Sequence, residues 1–317
     1  MLDVSVIIPT YNRNKLLIKC LKTLENQNYD KSKFEVIVVD DGSNDGTKEA
    51  VIAFSKRTKL NLGFFSQNHK GPGAARNLAI SKSKGRYIFI TNDDTYPSRK
   101  WISEHMKTHN KIKGVAVLGF VDWTPGIKIN AFMRFIAPYG PLFDFRIKDP
   151  NNCGFDHFFT SNISLDKKWL KNDSFNETFK HASCEDIELG CRLEKIGLKI
   201  IFNKNAVVYH DHYHEDVRNG GFYKKLYVTA KYFRIFTKFH PDIKKFKFDI
   251  LAFFKLLASR LYFLFFFNKK LYWKLKCSFF YHMGMLDGYR SSNLFLEIIF
   301  KILQFSYYGN FISTPEN

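Results

Sequence analysis

Residues 34–43 read FEVIVVDDGS, an unbroken apolar run that ends in a pair of aspartates. Residues 87–94 repeat this arrangement as YIFITNDD. Runs of β-branched and aromatic residues without a polar interruption are typical of parallel strands that helices cover on both faces. Carboxylates just past the carboxyl ends of such strands line the crevice in which α/β sheets bind ligands. The two stretches therefore predict a site rich in carboxylates, and a divalent cation that carries phosphates is a suitable partner for it.

Strand-like and helical patterns alternate through the first two-thirds of the chain. Strand-like runs lie at about 4–9, 34–40, 60–66, 87–91 and 114–121. This order predicts an α/β domain in which helices flank a mostly parallel, Rossmann-like sheet. We expect Asn12 to cap the first helix, because its side chain can accept a hydrogen bond from a helix N-terminus. Farther along, the patterns predict a helix over 185–196 and short strands at about 198–202 and 206–209.

Length and charge indicate two units and an anionic partner. At 317 residues the chain is long for one domain, and we place a boundary after residue 217, where the composition changes. Lys and Arg number 49 against 30 Asp and Glu, and this net charge of +19 favours phosphorylated ligands, nucleic acid or a membrane surface. The five cysteines form no CxxC pair, which is typical of reduced thiols in a cytosolic protein. Because the first residues run directly into a strand pattern, we predict no signal peptide.

Residues 218–317 are predicted to form a basic, aromatic-rich helical region that associates with a membrane, binds the acceptor, or does both. Within it, 250–267 is almost long enough to span a bilayer, but Lys255 and Arg260 interrupt the apolar run. A charge near the middle of a span is costly in lipid. An amphipathic helix lying in the plane of an anionic membrane surface fits the pattern better. A buried helix of the fold and a true span stay open as alternatives.

Five motifs follow one another along the chain. They are residues 4–13 (VSVIIPTYNR), 39–47 (VDDGSNDGT), 71–77 (GPGAARN), 92–94 (NDD) and 184–193 (CEDIELGCRL). Together and in this order they resemble the inverting family 2 glycosyltransferases, and the resemblance covers about residues 1–215. It implies that residues 1–217 form a catalytic domain with the GT-A fold, which uses a nucleotide-diphosphate sugar and Mn²⁺ or Mg²⁺.

The resemblance also implies roles for individual positions around the donor. The nucleotide-binding residues that it implies are Pro9, Thr10, Tyr11, Arg13, Asp41, Arg76, Asn92 and Asp93. Asn92 stands where the D-x-D motif of the family begins with aspartate, whereas Asp94 keeps the carboxylate on the metal side. The resemblance further places a histidine in contact with the metal or the diphosphate, and both His210 and His212 are candidates.

Two other positions are expected to act on the acceptor. Inversion by direct displacement needs one base that takes the proton of the acceptor hydroxyl, and Asp186 matches the base of the family. Glu185, its neighbour, is expected to hold an acceptor hydroxyl. A structural alternative competes with this role, because Ser183-x-x-Asp186 is also a capping-box pattern at the start of a helix.

The expected chemistry follows from the charges of the reaction. Transfer from a nucleotide sugar leaves negative charge on the departing diphosphate, and a Mg²⁺ or Mn²⁺ ion at Asp94 would neutralise that charge. The alternating histidines of 210–214 also suit a zinc ion, but the motif offers no further ligands.

These observations predict a metal-dependent inverting transferase. Its donor is expected to be a UDP-sugar, and its acceptor a glycan or a lipid-linked glycan in cell-surface polysaccharide synthesis. We expect the protein in the cytoplasm, peripherally bound at the inner face of the cell membrane. One alternative is a nucleotide-sugar-binding protein of this fold without catalysis. Another is a basic protein that stacks nucleic-acid bases on aromatic rings, although a carboxylate crevice without metal would repel phosphates.

Overall fold

The computed structural model describes residues 2–170, 174–211, 221–244, 250–265 and 267–290. The chain divides into two compact units, residues 1–214 and 215–317. The predicted boundary between 217 and 218 lies outside the described residues. The first unit contains an α/β sheet, and the described part of the second unit is helical.

The described residues of the first unit form one eight-stranded sheet with the order β3-β2-β1-β4-β7-β6-β8-β5. The strands are β1 (Val4–Thr10), β2 (Phe34–Asp40), β3 (Leu62–Ser66), β4 (Tyr87–Thr91), β5 (Thr95–Pro97), β6 (Val115–Trp123), β7 (Asn162–Asp166) and β8 (Lys199–His210). The first four strands run parallel, β7 is antiparallel to both of its neighbours, and β5 is antiparallel to β8. The predicted α/β fold with a mostly parallel sheet is confirmed.

Helices connect and flank these strands. They are α1 (Asn14–Glu25), α2 (Thr47–Ser55), α3 (Pro72–Lys82), α4 (Trp101–Lys111), α5 (Ala131–Ile136) and α6 (Glu185–Lys195). The residues of β2 and β4 are buried throughout, as their apolar composition predicts. Because β1, β2 and β4 are parallel neighbours, their carboxyl ends meet at one edge of the sheet.

Two local predictions are wrong. The strands expected at 198–202 and 206–209 are a single strand, β8, which pairs with β6 on both sides of a register shift between Gly119 and Phe120. The side-chain amide of Asn162 donates to the carbonyls of Phe120 (2.9 Å) and Ala206 (2.8 Å) at this irregularity, and so replaces bonds that the ladder loses there. The pairing continues because these carbonyls stay satisfied.

Asn12 does not cap α1. The helix begins at Asn14, with Arg13 at the N-cap position and no side-chain cap bond. Asn12 has a left-handed backbone (φ 52°), and its Oδ1 accepts a hydrogen bond from the Asn44 N–H at 2.8 Å. The N–H of Asn14 instead donates to Asp45 of the next loop at 2.9 Å. A distant loop therefore satisfies the helix terminus, which the local sequence does not indicate.

The described part of the second unit consists of α7 (Gly221–Phe239), α8 (Ile250–Ser259) and α9 (Lys269–Arg290), with a 3₁₀ turn at Arg260–Phe265. Its core cluster contains Leu256, Tyr262, Phe279, Met283 and Leu286. None of the helices in these described ranges combines the length and the apolar composition that crossing a bilayer requires.

Candidate active site

A cluster of acids lies where β1 and β4 end. The hydroxyl of Thr10 donates to Asp93 Oδ2 at 2.8 Å. Arg13 Nη1 lies 2.7 Å from Asp94 Oδ2 and 3.3 Å from Asp93 Oδ1. Both acidic side chains are only 5–6% exposed, whereas that of Arg13 is 42% exposed. Burial, and then the charge of Asp94, raise the pKa of Asp93 to about 7, although Arg13 and Thr10 act in the opposite direction. The sequence analysis predicted that Thr10, Arg13, Asp93 and Asp94 belong to one site, and the structure places them in contact. The ion pairs of Arg13 with the two acids were not predicted.

Asp94 also faces a histidine at the end of β8. His210 pairs with Thr95 across the β5–β8 ladder, and its Nε2 lies 3.7 Å from Asp94 Oδ1. Among the described residues no three His, Cys, Asp or Glu side chains converge to form a closed metal site. One carboxylate and one imidazole nevertheless fit Mg²⁺ or Mn²⁺, whose remaining ligands in nucleotide sites are phosphate oxygens and water. His212, the other candidate, lies outside the described residues.

Asp41 fastens the loop that precedes α3. Its Oδ1 accepts hydrogen bonds from the Gln67 amide (2.8 Å) and the Lys70 N–H (2.9 Å). Its Oδ2 accepts from the Gly71 N–H at 2.9 Å and lies 2.9 Å from His69 Nδ1. The carboxylate of Asp41 is therefore fully engaged by this loop, so a nucleotide that bonds to it must replace one of these partners.

An aromatic stack lies beside Asp41. Tyr11 is partly exposed, and its ring stacks on His69 with centroids 4.2 Å apart and an angle of 25°. Pro9, near the end of β1, is half-buried. The exposed Tyr11 ring offers a flat apolar surface on which a base can pack. His69 was not predicted from the sequence, because no local motif marks a histidine whose partners lie in the two preceding loops.

A buried ion pair links α3 to α6. Arg76 Nη1 donates to Glu185 Oε1 at 2.8 Å, and both side chains are 3% exposed. Arg76 Nη2 donates to Asn92 Oδ1 at 3.2 Å. Arg76 Nε and Glu185 Oε2 are also buried, and neither has a hydrogen-bond partner in the described structure. The pair leaves Glu185 facing Arg76 instead of solvent, so its position does not support the expected contact with an acceptor hydroxyl.

Asp186 lies in the first turn of α6, next to this pair. It is half-buried, and its Oδ1 accepts the N–H of Ile187 at 2.8 Å. Burial, and then the charge of Glu185, raise the pKa of Asp186 to about 7, while Arg76 acts in the opposite direction. A carboxylate with a pKa near neutrality is suited to accept a proton at physiological pH.

The start of α6 does not follow the capping-box pattern. The N-cap residue is Cys184 and not Ser183, and no side-chain cap bond forms at this position. Cys184 has a left-handed backbone, with φ 69°. A residue other than glycine in this conformation stores backbone strain, and such strain is frequent at functional sites. The geometry therefore weakens the capping explanation for Asp186.

Comparison with known proteins identifies the family of the chain. The model of the family "Glycosyl transferase family 2" matches residues 5–172. A chondroitin synthase of Escherichia coli is 31% identical over 65% of this chain, although the chain spans only 34% of the length of that relative.

Two solved structures share the fold. The mannosyltransferase PcManGT from Pyrobaculum calidifontis, in complex with GDP-Man and Mn²⁺, has a TM-score of 0.58 and 18% identity, and the match covers 95% of this chain and 80% of that one. Residues 1–349 of S. aureus TarS, in complex with UDP-GlcNAc, have a TM-score of 0.53 and 20% identity, with 92% and 93% covered. Because the family model matches more than half of the 317 residues, the chain belongs to glycosyl transferase family 2.

Proposed function

We propose that this glycosyltransferase moves a sugar, with inversion, from a nucleotide-diphosphate donor to a glycan or lipid-linked acceptor in cell-surface polysaccharide synthesis. One observation carries the proposal. Arg76 bonds both to Glu185, beside the candidate base Asp186, and to Asn92, in the NDD motif that ends β4. These two bonds tie the sequence neighbour of the candidate base to the motif that contains Asp93 and Asp94. A base and a pair of acids held close together in this way suit the displacement of a diphosphate by an acceptor hydroxyl.

The nucleotide is expected to bind where β1 and β2 end. Its base packs on Tyr11 beside His69, and Asp41 exchanges a loop partner for a hydrogen bond to the base or ribose. The S. aureus TarS structure contains UDP-GlcNAc, which makes UDP-sugars the first donors to test. Arg13 and the N-terminus of α1 are candidates for the diphosphate, because both present positive charge near Asp93 and Asp94.

Asp94 and His210 would hold a Mg²⁺ or Mn²⁺ ion, which neutralises charge on the departing diphosphate when it is bound. The PcManGT structure contains Mn²⁺ and supports this choice. Asp186 takes the proton of the acceptor hydroxyl as that oxygen attacks the anomeric carbon, and the nucleoside diphosphate leaves from the opposite side. Glu185 acts through Arg76 by keeping the guanidinium, and so the electrostatic environment of Asp186, in place.

Asp186→Asn tests the proposed base. The amide keeps the size and the Oδ1 acceptor that binds the Ile187 N–H, but it cannot take a proton. We expect donor affinity near that of the wild type and turnover lower by about 10²-fold. Glu194→Gln, the same chemical change in the last turns of α6, is the matched control and should keep full turnover. Turnover that survives in Asp186→Asn together with a lower melting temperature would restore the capping role.

We also propose that the enzyme works peripherally at the cytoplasmic face of the cell membrane. Eight exposed apolar side chains lie in α8 and in the 3₁₀ turn and loop that follow it. We call them together the α8 outer face, and they are Leu251, Phe254, Leu257, Leu261, Phe263, Leu264, Phe265 and Phe267. They are eight of the 13 exposed large apolar side chains among the described residues. Such a concentration, bordered by the exposed Lys255, Lys269 and Lys270, suits the acyl boundary of an anionic bilayer. A lipid-linked acceptor would then be locally concentrated.

A further inference from the structure

The acid pair at the end of β4 already has a cation of its own. Arg13 Nη1 bonds to Asp94 Oδ2 at 2.7 Å and reaches Asp93 Oδ1 at 3.3 Å. The two carboxylates are almost fully buried, so their mutual repulsion is poorly screened by water and requires a positive neighbour. Arg13, at the N-cap position of α1, provides this positive charge. A large part of its side chain is exposed to solvent.

The same carboxylate is the one that a divalent cation needs. Asp94 offers Oδ2 to Arg13, and its Oδ1 faces His210 Nε2 at 3.7 Å. A Mg²⁺ or Mn²⁺ ion bound to Asp94 would therefore stand close to the guanidinium, and two positive charges would repel each other in a poorly solvated place. Arg13 must leave the acids, or be compensated by new negative charge, before the ion binds well.

Arg13 has a place to go when a diphosphate is present. It occupies the N-cap position of α1, at the positive end of the helix dipole, which favours anions. Its side chain is long and partly exposed, so a change of rotamer can move the guanidinium while the backbone stays in place. A guanidinium also binds phosphate oxygens with strong, charge-assisted hydrogen bonds.

We propose that Arg13 is an exchangeable counter-ion, which neutralises Asp93 and Asp94 when no donor is bound and transfers to the diphosphate when donor and metal bind. This inference rests on the proposed function and adds a rule of regulation to it. Arg13 opposes binding of the metal alone and favours binding of the metal together with the diphosphate. Metal and nucleotide therefore bind cooperatively, which limits the amount of enzyme that holds a metal ion but no nucleotide.

Calorimetric titration of the full-length protein with MnCl₂, in the presence and absence of UDP, tests this exchange. Wild-type protein should bind Mn²⁺ at least about tenfold more tightly with UDP than without it. In Arg13→Ala, the affinity for Mn²⁺ alone should rise by about tenfold, and the enhancement by UDP should shrink to the part that the phosphate oxygens contribute as ligands of the ion. Arg13→Lys, which keeps a charge but loses the fork of donors, should fall between the two.

The control is Arg86→Ala, which removes another arginine–aspartate pair, with Asp166, on a different part of the sheet. It should leave both Mn²⁺ affinities unchanged. Melting temperatures provide a second readout: Arg13→Ala should be less stable than the wild type in chelator, and Mn²⁺ should stabilise it more.

Two outcomes contradict the inference in different ways. If Arg13→Ala binds Mn²⁺ alone no better than the wild type, while the wild type still shows the UDP enhancement, Arg13 is a fixed structural bridge and the proposed function stands. If the wild type binds Mn²⁺ and UDP in no combination, the proposed function fails together with the exchange.

Discussion

At the scale of single residues, burial raises the pKa of two carboxyl groups, those of Asp93 and Asp186. The pKa of each is raised to about 7, and burial is the largest cause in both cases. The second cause of the raised pKa is the charge of a neighbouring acid, which is Asp94 for Asp93 and Glu185 for Asp186. Asp93 therefore belongs to a pair of acids, with Asp94, that a neighbouring cation stabilises. Asp186 lies beside the ion pair of Arg76 with Glu185 and is suited to accept a proton.

The pH dependence of the reaction should reveal Asp186. Only its ionised form can accept a proton, so kcat/KM should rise with pH through the region near 7. Glu185→Gln removes a negative neighbour that raises the pKa of Asp186, and Arg76, which lowers it, loses its ionised partner. The rising limb should therefore move to lower pH in this variant. A limb that stays in place or moves to higher pH would contradict the assignment of Asp186 as the base.

Protein stability provides the control for that experiment. The folded pKa of Asp186 lies above its ordinary value of 3.8, so the protonated form is favoured in the native state. This stabilisation is present at low pH and is lost as pH rises from about 4 to about 7. Asp186→Asn lacks it and should lose less stability than the wild type over the same range, as measured by urea unfolding at each pH.

At the scale of elements, α8 is apolar on both sides. Ala252, Leu256 and Ser259 form its buried side, while Leu251 and Phe254 belong to the α8 outer face. A helix of an ordinary globular surface would be polar on its exposed side. The outer face is therefore expected to contact something apolar, and the neighbouring lysines favour an anionic lipid surface.

Liposome sedimentation tests the outer face. Binding of the full-length protein should increase with the fraction of phosphatidylglycerol in phosphatidylcholine vesicles, because each lysine near an anionic surface contributes about 1 kcal/mol of binding free energy. Binding should decrease with salt, because salt screens this attraction. The triple variant Leu251→Ser, Phe254→Ser, Leu257→Ser should bind at least about tenfold more weakly, because each buried apolar side chain contributes about 1.5–3 kcal/mol.

The matched control carries Ile52→Ser and Ile196→Ser, two exposed apolar residues of the first unit, and should bind like the wild type. Equal binding by the triple variant would show that another surface contacts lipid. If the wild type sediments with no vesicle composition, the membrane proposal fails and the transferase proposal is unaffected.

The elements were more predictable than the contacts between them. Strands β1, β2, β3, β4 and β6 lie within about two residues of their predicted positions, because continuous apolar runs bounded by turn residues are a local signal. The short β5 and β7 were not predicted, and β8 was divided in two. Its continuity depends on Asn162, which bonds to carbonyls of two other strands, and no local pattern contains that information.

At the scale of the whole molecule, the candidate site gathers residues from most of the first unit. Thr10, Arg13, Arg76, Asp94 and His210 come from four separate stretches of the sequence, and the fold brings these stretches together. Five spaced motifs predicted that these residues belong to one site, and that assignment stays a prediction. The pairing of Arg76 with Glu185, and of Arg13 with the acids, depends on tertiary geometry and appears only in the structure.

One measurement tests the central claim directly: release of nucleoside diphosphate from a panel of UDP- and GDP-sugars by the full-length protein with Mn²⁺. We predict release from at least one donor, its loss in chelator, and a loss of about 10²-fold or more in Asp94→Asn. Asp166→Asn, which changes an acid remote from the β4 acid pair, is the control and should keep the activity. If the folded wild-type protein releases no diphosphate from any donor, or if Asp94→Asn is as active as the wild type, the proposed site is wrong.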